Sequence, residues 1–170
     1  MPQRLAAIAG AIDRVNAAIG RAAMWLALAV VLLQFVLVLL RYLFGVGSIR
    51  LAESIIYAHA AMFLLAAAWT LQENGHVRVD VFYAEASART RAMIDLLGAL
   101  LLLLPFMAVI AWFAVPYVAR SWAIFERSRE VSGLPFVYLL KSLIPAFALL
   151  MALQGVAQAI RAALALASPR

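Results

Sequence analysis

Residues 22–40 read AAMWLALAVVLLQFVLVLL and lie between Arg21 and Arg41. The run carries one strongly polar side chain, Gln34. A helix of that length can cross the ~30 Å of bilayer hydrocarbon, which takes about 20 apolar residues. A cleaved signal peptide has a shorter apolar core followed by a small-residue cleavage site. Here the run ends at Arg41-Tyr42-Leu43-Phe44, so it reads as a retained membrane span.

The rest of the chain has the same character. Of its 170 residues, 68% are hydrophobic and 13% charged, against about 45–50% apolar and about 25% charged in soluble domains. A soluble domain of this size needs polar residues to cover its surface. Lipid is therefore the solvent for most of this chain, and a disordered chain or a secreted disulfide scaffold is excluded. The net charge of +6 would suit nucleic acid, but the basic residues other than Lys141 are arginines placed singly. No cluster tracks a phosphate backbone, so no nucleic-acid partner is expected. The absence of cysteine removes disulfides, thiol redox chemistry and cysteine metal sites.

Three further spans are predicted at about 54–71, 93–118 and 136–159. The third holds Pro105 and Pro116, which should bend it unless neighbours take up the freed carbonyls. Ahead of the first span, at about 3–20, Leu5, Ile8, Ile12, Val15 and Ile19 recur at helical spacing, with Arg4, Asp13, Arg14 and Asn16 on other faces. That pattern predicts an amphipathic helix lying in the bilayer interface before the chain turns inward; a cytosolic helix packed on a partner is the alternative. The expected fold is an all-α integral membrane protein, four transmembrane helices preceded by this interfacial helix, in a single membrane domain over 1–170. Arg4, Arg14, Arg21, Arg78, Arg89, Arg91, Arg161 and Arg170 flank the spans on one side, against Arg41, Arg50, Arg120, Arg127 and Arg129 on the other. The excess predicts that both termini are cytoplasmic.

An ionisable group inside the membrane is expensive and functional by default. The inventory is His59 and Lys141, with no Asp or Glu at the centre of any span. Ion-coupled transporters hold their ion near the midplane with such an acid or a broken helix, so this chain is not expected to transport alone. Neither enzymatic activity nor a cofactor is expected. A haem bound by His59 would need a second ligand from another helix, and His76 falls in a connection. His59 is expected instead to hydrogen-bond a neighbouring helix or the backbone. Lys141 precedes Pro145 by four residues, and the proline leaves the Lys141 carbonyl without its helical partner. A polar notch and a lysine snorkelling to the headgroups both fit. Ala148, Ala152, Gly155 and Ala159 form a small-residue ridge that admits another helix. Gln154 and Gln158 are placed to bond across a helix interface, within the bundle or with another subunit.

The connection after the second predicted span reads Glu73-Asn74-Gly75-His76-Val77-Arg78-Val79-Asp80-Val81-Phe82. Gly75 is expected to take the left-handed conformation that ends a helix. His76, Arg78 and Asp80 alternate with valines, which in an extended segment puts the polar groups on one face. Asp80 is placed to cap a following helix. A plain polar turn explains Gly75 and Asp80 but not the alternation.

At these residues the chain resembles the small membrane subunit of tripartite ATP-independent periplasmic (TRAP) transporters. The resemblance rests on Gly75-His76-Val77-Arg78-Val79-Asp80, with Arg41-Tyr42-Leu43-Phe44 closing the first span and Glu53 opening the second. Ser121-Trp122, Glu126, Ser128, Gly133-Leu134-Pro135, Lys141 and Ile144-Pro145 continue it, and it covers about residues 15–160. It implies a four-helix scaffold in the bacterial inner membrane that pairs with a large membrane subunit holding the substrate and sodium sites. It also implies a periplasmic binding protein that delivers the substrate, an organic acid, with the chain's end closer to the monocarboxylate branch than to the sialic-acid branch. On this footing Arg41, Glu53, Lys141, Gln154 and Gln158 are expected at the large-subunit interface. Arg50, Arg120, Glu126, Arg127 and Arg129 are expected to dock the binding protein. The competing readings are a stand-alone small exporter, which would need an acid where this chain has Gln34, and a structural or haem-binding subunit of a respiratory complex.

Overall fold

The structure is a computed structural model and describes residues 2–77 and 83–167. Among these, all regular structure is helical: α1 (Pro2–Phe44), α2 (Ile49–Gln72), α3 (Ala88–Leu97), a π-helical stretch Gly98–Leu103 leading into α4 (Leu104–Ala123), and α5 (Val137–Ala167). α1, α2, the α3–α4 run and α5 are each long and apolar enough to cross a membrane. The fold is that of an all-α membrane protein with four span-capable helices. Short connections make successive helices antiparallel. The 45–48 and 124–136 connections therefore share one end of the molecule, here the loop end, and residues 73–77, residues 83–87 and both helical termini share the other.

α5 is the hub. It packs on α1, α2, α3 and α4, whereas α4 comes close only to α5 and the π-helical stretch. The core joins Ala68 of α2, Met107 of α4 and Ala148, Leu150 and Met151 of α5. Trp25 and Phe35 of α1 and Trp112 and Phe113 of α4 point outward. An apolar exterior is what a lipid-solvated helix presents, and small residues at the contacts let its backbone come close to a neighbour. Gly20 shows this: a Cβ there would stand 2.7 Å from Trp69 Cγ.

The N-terminal segment corrects the sequence-based expectation. No turn separates an interfacial helix from the first span, because α1 runs unbroken from Pro2 to Phe44. At 1.5 Å per residue it is about 65 Å long, twice the hydrocarbon thickness. Its amphipathicity is also inverted: Leu5, Ile8 and Val15 are exposed, while Ala9, Asn16, Ala17, Gly20 and Ala23 are buried. Asp13 and Asn16 have partners on α5, so these two polar residues turn inward while Leu5, Ile8 and Val15 turn outward and only Ile19 of the apolar stripe packs on the core.

Pro105 is accommodated by a change of helix type. Just before it the helix widens, and the Leu104 N–H reaches back to Ala99 O, a spacing that relieves the crowding of a proline ring against the preceding turn. Pro116 and Pro145 sit inside α4 and α5, which continue through them. The end of α2 brings a second correction. Asn74, not Gly75, takes the left-handed conformation, at φ 56°. Asn74 N–H bonds Leu71 O and Gly75 N–H bonds Thr70 O, the paired bonds of a Schellman motif. Gly75 serves by its size, since a Cβ would meet Thr70 Cγ2 at 3.0 Å.

Candidate functional site: a polar clasp at the loop end

Helix ends leave backbone groups without partners, and at the loop end these are drawn into one cluster. Ser48 caps α2 by accepting from Leu51 N–H at 3.3 Å. One turn in, Glu53 faces the 124–136 connection. Its carboxylate accepts the Leu134 N–H at 2.5 Å and the Ser128 hydroxyl. The Arg50 Nε donates to Ser132 O at 3.1 Å. Gly133 has no room for a side chain, as a Cβ would stand 2.8 Å from Glu53 Oε1. Inside the loop Ser128 N–H bonds Leu134 O at 3.1 Å. The connection is thus closed on itself and tied to α2.

A second carboxylate ties the same loop to α5. α4 ends in a Schellman motif: Phe125 takes φ 44°, its N–H bonds Trp122 O, and Glu126 N–H bonds Ser121 O. That turn aims Glu126 back at the helices, where it accepts from Ser121 Oγ at 2.7 Å and Lys141 Nζ at 2.5 Å. Lys141 also stands 4.2 Å from the centre of the Tyr117 ring, a cation–π contact. The bond from Lys141, and next that from Ser121, hold the Glu126 carboxyl below the usual carboxylate range. Beside them Trp122 donates to Ser142 Oγ at 2.9 Å and packs edge-on to Tyr138.

The structure therefore brings together Glu53, Glu126, Ser128, Gly133, Leu134 and Lys141, which three different segments supply. The Lys141 ammonium is thus taken up by Glu126 and Tyr117 of the same chain. Arg127 and Arg129 are exposed and, with Arg50, line a cleft of about 560 Å³; Arg120 is exposed on α4 and Arg41 at the end of α1.

The opposite end carries a separate network, for which the sequence offered Gln154 and Gln158 but not their partners. Asp13 accepts from Arg161 at 2.6 Å and from Gln154 at 3.1 Å. Asn16 donates to Gln154 Oε1 at 2.7 Å. Gln154 is fully buried within the chain and its polar atoms are engaged by α1, so of its two expected settings it takes the one within the bundle and not the large-subunit interface. Gln158 is half-buried and donates to Leu71 O at 3.3 Å. The hint was available, because Asn16 and Gln154 are polar residues within apolar stretches, but nothing in one sequence pairs them. His76 bonds Ala67 O at 3.2 Å, while Arg78 and Asp80 lie outside the described residues. His59 is exposed on α2, and no hydrogen bond reaches it among the described residues.

Fold and polar sites together define a polytopic helical membrane component in which Asp13, Arg50, Glu53, Glu126, Lys141 and Arg161 tie its own segments together. A family model described as tripartite ATP-independent periplasmic transporters, DctQ component, matches residues 30–165. The chain belongs to this family, the small membrane component of TRAP transporters, and is accordingly a multi-pass inner-membrane protein. No curated protein and no solved structure matches it.

Proposed function

We propose that the chain is the static scaffold of its transporter. It holds a large membrane component that carries the sodium and substrate sites and moves them, and it offers its loop end to a periplasmic binding protein delivering an organic acid, a carboxylate. In this reading both termini are cytoplasmic, in line with the arginine excess on their side, and the 124–136 connection faces the periplasm. Arg120, Arg127 and Arg129 meet the binding protein, and Arg41 lies at the rim facing the large component.

The observation that carries the proposal is the state of the carboxylates. Glu53, Glu126 and Asp13 each hold two donors from the same chain, and for each at least one donor lies on another helix or connection. Groups saturated in this way stiffen a bundle and are poorly suited to gaining and losing an ion with each transport cycle. Reconstitution into vesicles under a sodium gradient tests the reading. The chain alone should give no uptake, and uptake should require both partners together. Sodium-driven uptake by the large component and binding protein without this chain, at full rate, would overturn it.

A further inference from the structure

α2 has an outer face that its own bundle does not use. Its inner side meets α1 and α5, with Ala68 buried and Glu53 in the clasp. Ile56, His59 and Phe63 are exposed on the other side, at steps of 3 and 4 that stack them in one stripe. Ala52 and Ala66 extend the stripe at the same steps, small enough for a second backbone to come close.

Depth makes His59 informative. It lies six residues beyond Glu53, so about 9 Å further along the helix, and thirteen residues, about 20 Å, from the other end at Gln72. Lysine or arginine at such a level can reach the headgroups on a long aliphatic stem; histidine has none. Even the neutral imidazole keeps one N–H donor and one acceptor. Acyl chains satisfy neither, and a polar group left in hydrocarbon is costly. The stripe therefore calls for a surface that is apolar around Ile56 and Phe63 and polar at one point between them.

We infer that this face of α2 seats a transmembrane helix of the large component, which presents a hydroxyl, amide or carboxylate to His59. The inference rests on the scaffold reading above and adds to it the face used. A helix matches the stripe in shape, because side chains at steps of 3 and 4 are what a neighbouring helix packs between.

The test uses the complete three-component transporter in native membranes. A photo-crosslinking amino acid is placed at position 56 or 63 and, for comparison, at position 25 of α1 or 113 of α4. Crosslinks from 56 and 63 should join the large component. His59→Leu, which removes only the polar group and leaves an apolar span, should lower co-purification of the large component about threefold to tenfold, the range for one interhelical hydrogen bond in a membrane. His59→Gln should restore much of it. Crosslinks from 56 and 63 only to lipid, or to a second copy of this chain, would overturn the inference, as would undiminished co-purification of His59→Leu. Should the large component be reached from position 25 or 113 alone, the assigned face is wrong while the scaffold reading stands. If it is reached from none of the four and does not co-purify with the chain, both fail together.

Discussion

Glu126 and Lys141, fifteen residues apart in sequence, show what one ion pair does at the end of a membrane bundle. Glu126 sits on the loop and Lys141 on α5, so their bond fixes where α4 hands over to α5. Lys141→Met leaves the Glu126 carboxylate with the Ser121 hydroxyl alone, and the unfolding temperature in detergent should fall by about 2–4 °C. Adding Glu126→Gln to Lys141→Met should recover part of that fall, since removing both partners leaves no unpaired charge. The pH dependence has a definite sign. The Glu126 carboxyl is held low in the folded chain, so its contribution is complete above the ordinary glutamate range near pH ~4.3 and fades as the pH falls through the depressed value. Glu126→Gln should flatten the thermal-stability profile below about pH 4.3 and leave its shape near neutrality unchanged. An acid limb of equal steepness in wild type and variant would contradict the assignment. In the sequence Lys141 left two readings open because a notch and a snorkelling lysine differ only in what lies within reach. The acceptor comes from a turn that places the bulky Phe125 at positive φ, where a glycine or asparagine would have advertised it.

At the scale of elements, long apolar runs bounded by arginines were enough to find the helices, and the inner surface of α1 was not legible. Periodicity says which residues share a face; it does not say which face meets protein when the solvent is lipid. Leu5, Ile8 and Val15 form the regular stripe, yet the bundle is built on Ala9, Asn16, Ala17, Gly20 and Ala23. Asn16 and Gln154 are 138 positions apart, beyond the reach of any local pattern. The inverted stripe has a measurable consequence at Gly20. A Cβ there meets the Trp69 ring and its first carbon, which cannot move without moving α2, so Gly20→Ala should cost about 1–3 kcal/mol by overpacking. Gly155 is the useful contrast. Its added Cβ would meet Leu103 Cδ2 at 2.9 Å, the free tip of a side chain that can rotate away. Gly155→Ala should therefore cost clearly less than Gly20→Ala in detergent unfolding. Equal losses would mean that the α1–α2 contact is no tighter than that between α5 and the π-helical stretch.

The molecule as a whole is polarised along its length, with the clasp at one end and the Asp13–Arg161 network at the other. Residues of the family resemblance that lie scattered in sequence, Glu53, Glu126, Ser128, Gly133, Leu134 and Lys141, meet in the clasp; sequence could nominate them without showing that they bind one another. With these groups turned inward, the charge left facing outward from the loop is carried by Arg127, Arg129 and Glu130, a net positive set that the closed loop holds in place rather than leaving on a free tether. A rigid basic patch next to a 560 Å³ cleft favours encounter with an acidic protein surface, and such steering acts on the association rate and weakens with salt. Reversing both charges with Arg127→Glu and Arg129→Glu should slow uptake when the binding protein is limiting, by about tenfold at low salt. The defect should shrink as ionic strength rises, because screening removes from wild type the advantage that the variant has already lost. At saturating binding protein the maximal rate should be unchanged, since neither residue belongs to the clasp. A defect independent of salt, or one confined to the maximal rate, would place the two arginines in the architecture of the loop instead of its encounter surface.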